Sequence, residues 1–293
     1  MTGVLWAAAS GIGFGLFQSL NVRAVRQLDD VYVSTFLQVV VAALVLFAVC
    51  LAAGDLSLLG DAPAWAIASF ALAGMLHFFL GWTFLNVSQD RIGAARTGPL
   101  LTTVPLFGIL IAAVTLGQLP NAAALGGIAL MMAGALVISA PSGEAELRWG
   151  DSLFALVTAF LWALSPVFTL EGLEEIDSPL LGVTIGVVFS AFAYALVLAL
   201  TPGERRSARG LPRQGVALKL VGGAIVALAT WGRWVALDLA AVGVVLALNL
   251  LAVPTVLLLA PVFTGRHLER VDARILSGAA LVVAGSLVLI AVE

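Results

Sequence analysis

Apolar residues fall into ten long blocks separated by short polar connections. The blocks cover residues 3–22, 32–53, 64–87, 93–117, 122–140, 152–171, 179–200, 216–237, 243–264 and 273–291. Most of them approach the roughly 20 residues that an α-helix needs to cross a bilayer. The only longer connection, residues 201–215, is a charged loop and not a domain. The pattern predicts an all-α membrane protein with ten transmembrane helices, here named spans 1 to 10 in chain order.

Composition supports the membrane class and excludes several others. The chain is 61% hydrophobic and 11% charged, whereas soluble domains carry about 25% charged residues. No basic face with interleaved aromatic residues exists, so we expect no nucleic-acid partner. The single cysteine, Cys50, lies inside an apolar block, which excludes an intramolecular disulfide.

Positive charges predict the orientation of the spans. Twelve of the fourteen Lys and Arg residues flank the odd-numbered connections: Arg23, Arg26, Arg91, Arg148, Arg205, Arg206, Arg209, Arg213, Lys219, Arg266, Arg270 and Arg274. The positive-inside rule therefore puts the odd connections in the cytoplasm and both termini outside, in the inner membrane. The two exceptions, Arg96 and Arg233, lie inside spans.

The two halves of the chain resemble each other. Val104-Pro105 returns as Val253-Pro254, and at the same offset of 149 residues Gly74 corresponds to Gly223 and Trp82 to Trp231. Each half has five spans, an odd number, so the second copy must cross the membrane in the opposite sense. We therefore predict two inverted five-helix repeats, residues 1–143 and 144–293. Inverted repeats are typical of secondary transporters, which bind substrate near the midplane between the halves.

The end of each repeat carries a family resemblance. VPLFGILIAAVTLGQL is followed by GGIALMMAGALVI, and VPTVLLLAPVFTGRHL by SGAALVVAGSLVLI. With the repeat layout, these segments resemble the EamA-type members of the drug/metabolite transporter superfamily, and within it YddG-like amino-acid exporters. One departure is that Gly117-Gln118 and Gly265-Arg266 stand where such sequences often have Gly-Glu. The resemblance implies export or exchange of small metabolites.

Polar side chains inside the spans are the candidates for transport. Span 1 carries Ser10, Phe14 and Gln18 at helical spacing, and span 6 carries Trp162 and Ser165 on a similar stripe. One interpretation is that these stripes line a central cavity formed by spans 1, 3, 4, 6, 8 and 9. The alternative is helix–helix packing, for which small and hydroxyl residues are also common in lipid.

Ionisable and amide residues at depth add further candidates. His77 lies near the middle of span 3, where an ionisable residue indicates a functional site, and proton coupling is a hypothesis for it. Arg96 is expected to snorkel or pair at an inner gate, and Arg233 to gate or to anchor span 8 at the outer interface. Asn249 should face protein or cavity. The predicted substrate-binding residues are Ser10, Phe14, Gln18, His77, Thr103, Trp162, Ser165 and Asn249, and the predicted gating residues are Arg96 and Arg233.

Missing motifs narrow the function. No Asp or Glu lies deep in a span, which argues against a proton-driven pump for cationic drugs. No Walker loop, metal-ligand cluster or G-x-S-x-G elbow is present, so we expect no cofactor, no metal and no enzyme activity. The sequence predicts an alternating-access exporter of small metabolites, most plausibly amino acids. Exporters of drug-like amphiphiles or of other metabolites, and a non-transporting membrane protein, remain as alternatives.

Overall fold

The computed structural model describes residues 1–25, 28, 31–92, 97, 100–139, 149–200, 212–263 and 273–292, which are helical apart from short turns and connections. The α-helices are α1 Thr2–Val25, α2 Val31–Ala53, α3 Ala64–Gly74, α4 Trp82–Ile92, α5 Val104–Thr115, α6 Ala122–Ser139, α7 Trp149–Leu173, α8 Pro179–Leu200, α9 Arg213–Leu239, α10 Val242–Leu248, α11 Ala252–Phe263 and α12 Ala273–Val292. Residues 55–60 and 249–251 form 3₁₀ turns, and Met75–Gly81 forms a π-helix between α3 and α4.

The helices fall on the predicted blocks. Six described helical stretches are long and apolar enough to cross a membrane: Thr2–Asn21, Tyr32–Ala53, Ala64–Ser88, Ser152–Leu173, Pro179–Leu200 and Arg213–Leu239. Four shorter apolar helices, Val104–Thr115, Ala122–Val137, Val242–Val256 and Leu276–Val292, lie on the other four blocks. The chain is therefore a multi-pass membrane protein. The predicted boundary between repeats, at residues 143 and 144, lies outside the described residues.

Three blocks are not the continuous α-helices that the sequence predicts, and the simplest case is span 4, which is interrupted by a turn at Thr102 and Thr103 before α5. Span 3 changes to π-helical winding over Met75–Gly81, and span 9 narrows to a 3₁₀ turn over Asn249–Leu251. Sequence periodicity cannot detect either change, because it reports the apolar face and not the hydrogen-bond pattern. In span 9 the turn comes just before Pro254, whose missing N–H breaks the regular helix pattern. In span 3 the cause lies in neighbouring side chains, described below.

Glycines allow several helices to touch through their backbones. A Cβ on Gly74 of α3 would lie 2.2 Å from the Cα of Gly186 in α8. Helices α6 and α12 meet in the same way, since a Cβ on Gly134 would lie 2.5 Å from the carbonyl oxygen of Gly278. Close approach through small residues is the usual way in which helices associate in lipid.

The buried apolar residues form two clusters. One lies mainly among α1, α5, α6, α10 and α12, and the other mainly among α2, α3, α8 and α9. Trp162, in the middle of α7, packs against both clusters. It therefore faces protein at the boundary between the two clusters.

Candidate functional site

His77 and Trp162 form the centre of the site. His77 lies in the π-helix and is 3% exposed. The Trp162 indole stacks on the His77 ring, with centroids 5.4 Å apart and planes at 29°, and its Nε1–H donates to the His77 carbonyl oxygen at 3.1 Å. The indole comes so close to Gly81 that a Cβ there would lie 2.4 Å from Nε1. A side chain at position 81 would therefore displace the tryptophan.

Arg233 joins this pair from α9. Its Nη1 lies 3.2 Å from Nδ1 of His77 and 3.4 Å from Nε2, and its Nη2 donates to the Trp162 carbonyl oxygen at 3.2 Å. Because a guanidinium only donates, the imidazole nitrogen that accepts must carry no proton. Arg233 is 4% exposed, so the interpretation of this residue as an interfacial anchor is wrong. Three helical segments from both halves of the chain thus meet at one polar cluster.

Side chains of α7 and α8 hold the π-helix in place. Ser165 donates to the carbonyl oxygen of Ala73, just before the segment, at 3.1 Å, and the Tyr194 hydroxyl donates to that of Phe79 at 3.2 Å. With the Trp162 bond to His77, these contacts occupy carbonyls along the irregular stretch. Mid-helix π segments are frequent at functional sites, and here the neighbouring donors supply a physical reason for one.

Ser10 and Asn249 form a second polar pair, which meets α9 one helical turn before Arg233. Ser10 is buried and donates to the Ala229 carbonyl oxygen of α9 at 2.8 Å, and its Oγ lies 3.5 Å from Oδ1 of Asn249. Gly232, the residue before Arg233, faces Ser10, since a Cβ there would lie 3.9 Å from the serine Cβ. The 3₁₀ turn of span 9 therefore places the Asn249 amide at the same depth as Ala229 of α9, with Ser10 between them.

Comparison with known proteins identifies the family. Residues 1–140 match the EamA-like transporter family. The first 140 of the chain's 293 residues therefore belong to the EamA-like transporter family. A protein of known crystal structure, 20% identical in sequence, shares the fold with a TM-score of 0.74 over 96% of this chain and 95% of its own. No functionally curated protein matches the sequence.

EamA-type membership supports a membrane transporter of small molecules and not an enzyme. The site is built from an imidazole, an indole, a guanidinium, hydroxyls and an amide. Within the part of the chain that the structure describes, no group of three or more His, Cys, Asp or Glu side chains converges to hold a metal ion.

Not every predicted residue of this EamA-type protein joins the cluster. Phe14 is half-buried and packs against the second apolar cluster, whereas Gln18 is exposed although it shares the predicted stripe. Thr103 donates to the Leu100 carbonyl oxygen at 2.6 Å in the turn before α5. Arg96, a predicted gating residue, lies outside the described residues.

One functional candidate escaped the sequence analysis. Lys219, counted there with the cytoplasmic charges, is 3% exposed inside α9. Its ammonium donates to Oδ1 of Asn21 and, at 3.2 Å, to Oε1 of Gln38. The signal that could have found it is the position of Lys219 inside the eighth apolar block, with amides at similar depth in spans 1 and 2.

Proposed function

We propose that this protein is a secondary transporter in the inner membrane that moves small metabolites, with amino acids as its substrates. Two inverted five-helix repeats, residues 1–143 and 144–293, rock about a shared central site by alternating access. Both termini lie outside the cytoplasm. Substrate binds at the cluster of His77, Trp162 and Arg233, next to Ser10 and Asn249.

The pattern of helix neighbours supports the two repeats. Helix α1 packs on α9 and α11, and its counterpart α7 packs on α3 and α5. Helix α2 packs on α9, and its counterpart α8 packs on α3. The pairs α2–α8, α5–α10 and α6–α12 each join counterparts. These main pairings are therefore unchanged when the halves are exchanged, which is expected of a two-fold related pair.

The observation that carries the proposed function is the convergence of polar groups on interrupted helices. His77 lies in a π-helix, Asn249 in a 3₁₀ turn, and both meet residues of the opposite half: His77 meets Trp162, and Asn249 meets Ser10. Transporters commonly form their substrate sites from such irregular helices near the midplane. Structural glue alone would not need irregular backbone in two spans.

The chemistry of the cluster supports amino acids. It offers an unused N–H donor on Arg233, an acceptor oxygen on Asn249, and a large aromatic surface on Trp162. A zwitterion with a variable side chain uses all three kinds of contact. Drug-like amphiphiles would use mainly the aromatic surface. They are the alternative substrate class, and the experiment below compares them with amino acids.

Transport by purified protein in lipid vesicles tests this proposal. Vesicles loaded with one unlabelled amino acid at a time should take up the labelled form by counterflow above the rate of empty vesicles. We expect Trp162→Leu to lower the rate about tenfold or more, because it removes the indole and its hydrogen bond. Trp65→Leu is the matched control, since Trp65 is 48% exposed and should transport as the parent does.

The same vesicles separate the alternatives. Counterflow of amphiphilic drugs without counterflow of any amino acid would replace the substrate class, and movement of neither class would overturn the transporter. An imposed pH gradient, inside acid or inside alkaline, tests protons as the coupling ion. Accumulation that follows the gradient and is absent from His77→Gln would support coupling through that residue.

A further inference from the structure

Arg233 is a buried cation whose hydrogen bonds are incomplete. The guanidinium has five N–H donors, and it is 4% exposed. Nη1 meets the His77 ring and Nη2 the Trp162 carbonyl oxygen, but Nε has no partner. The unused donor lies on the edge that Nε shares with Nη2, and Nη2 carries two hydrogens, one of which serves the Trp162 carbonyl oxygen.

The groups around Arg233 do not neutralise its charge. Its partners are an uncharged imidazole and a backbone carbonyl, and no carboxylate of the described residues interacts with it. A buried charge without a counter-ion is costly, and removing water from a polar group without replacing its hydrogen bonds adds to that cost. A ligand that brings one negative charge and two acceptor oxygens would meet both deficits.

We infer that Arg233 binds the carboxylate of the transported substrate and so selects substrates that carry one. The inference rests on the proposed transport function and deepens it. Nε–H and the neighbouring Nη form a planar fork that matches a carboxylate in two parallel hydrogen bonds. His77 acts as a positioning residue, because its ring nitrogen accepts from Nη1 on the other edge and fixes the plane of the guanidinium.

The same geometry limits the charge of the ligand. The next buried cation of the described helices, Lys219, lies 14 residues away on α9, which is about 21 Å along the axis. The two cannot hold one small molecule together. The site therefore suits a single carboxylate better than a phosphate or a dicarboxylate, and it repels a ligand with net positive charge.

Substrate analogues that differ only in charged groups test the inference. We would compare phenylalanine with phenethylamine, which lacks the carboxylate, and with 3-phenylpropionate, which lacks the amine. Leucine, isopentylamine and 4-methylpentanoate form an aliphatic series. In the unmodified protein we expect both carboxylates of a series to compete with amino-acid counterflow, and the amine to compete at least about tenfold more weakly.

Variants at position 233 give the second measurement. Arg233→Gln should lower counterflow of phenylalanine and leucine by about tenfold to a hundredfold, the range expected when a hydrogen bond to a charged group is lost. It should also remove the discrimination between amino acid and amine. Arg233→Lys keeps the charge without the fork and should lie between the two. Arg213→Gln, at the exposed start of the same helix, is the matched control and should transport normally.

Each outcome decides the inference. If phenethylamine or isopentylamine competes as well as its carboxylate partner, Arg233 does not select the carboxylate, whatever the variants do. If Arg233→Gln transports while still rejecting the amine, the inference is overturned and the transport function stands. If the unmodified protein moves no amino acid at all, the proposed function itself fails. The competition assay needs no variant, so a misfolded Arg233→Gln protein would not prevent a decision.

Discussion

Lys219 and Arg233 lie at opposite ends of helix α9 and are both buried, but the protein accommodates them differently. They are 14 residues apart, which puts them within about 40° of each other around the helix. Both cations meet neutral groups, but the Lys219 ammonium donates to two amide oxygens, on α1 and α2, whereas the Arg233 guanidinium keeps an N–H without a partner. Near the N-terminal end of α9, amide oxygens of the protein take the place of water around the ammonium. Near its C-terminal end one N–H has no partner, and this difference distinguishes a structural contact from a proposed binding group.

The largest expected effect comes from removing the acceptors of Lys219. Asn21→Leu combined with Gln38→Leu leaves a buried ammonium without its two amide partners. We expect the free energy of unfolding to fall by about 3 to 5 kcal/mol, measured by chemical or thermal unfolding in detergent. Adding Lys219→Met should restore most of the loss, because the charge that needed the amides is gone. Equal stability of the double and triple variants would show that the amides do not hold Lys219.

A smaller effect is expected at His77, on the side of Arg233. His77→Leu removes the acceptor that orients the guanidinium, and we expect the KM for amino-acid transport to rise about tenfold with a smaller change in kcat. His77→Gln keeps an acceptor and should change KM less. The measurement is the concentration dependence of counterflow. If the two variants raise KM by the same factor, the ring nitrogen does not position Arg233.

A change of about 1 kcal/mol is expected at Ser10, which ties α1 to α9 next to Arg233. Ser10→Ala removes the buried bond to the Ala229 carbonyl oxygen and should lower the free energy of unfolding by about that amount. The control is Ser57→Ala, because Ser57 makes an exposed bond to the Gly54 carbonyl oxygen at 2.8 Å. That change should have almost no effect in the same unfolding measurement.

The smallest change in the free energy of unfolding is expected at Arg233, the position at which we expect the largest change in transport selectivity. Arg233→Met removes a buried charge that already lacks one partner, so the free energy of unfolding should stay within about 1 kcal/mol of the parent value or rise. Unfolding in detergent measures it beside the Lys219 series. A loss of 3 kcal/mol or more would mean that the contacts of Arg233, like those of Lys219, stabilise the fold, and the contrast between the ends of α9 would disappear.

Sequence patterns predicted the membrane class and the blocks that became helices, because length and apolar content decide whether a segment crosses lipid. His77, Trp162 and Arg233 were also each selected as candidates, since polar and aromatic residues inside spans are costly or unusual. Their meeting could not be predicted. It depends on the π-helical winding around His77 and on which face α7 presents to α3, and neither leaves a trace in hydrophobic periodicity.

The burial of Lys219 was missed for a related reason. Counting charges near the ends of apolar blocks assigns a lysine to the nearest loop. That assignment is wrong for Lys219, which lies about two helical turns inside α9. In the sequence nothing distinguishes Asn21 and Gln38 from other amide residues. They become hydrogen-bond acceptors for the Lys219 ammonium only because α1 and α2 pack against α9. Side-chain partners across helices remain the part of the site that requires coordinates.

The π-helix of span 3 has a consequence for biogenesis. The side chains of Trp162 and Tyr194 donate to its carbonyls, and Ser165 donates to the Ala73 carbonyl just before it. All three belong to helices that leave the ribosome after span 3. While only the first half of the chain has been synthesised, span 3 lacks the groups that favour the irregular winding and should remain regularly coiled. We expect its final shape, and with it the orientation of His77, to be acquired only when the second half has entered the membrane.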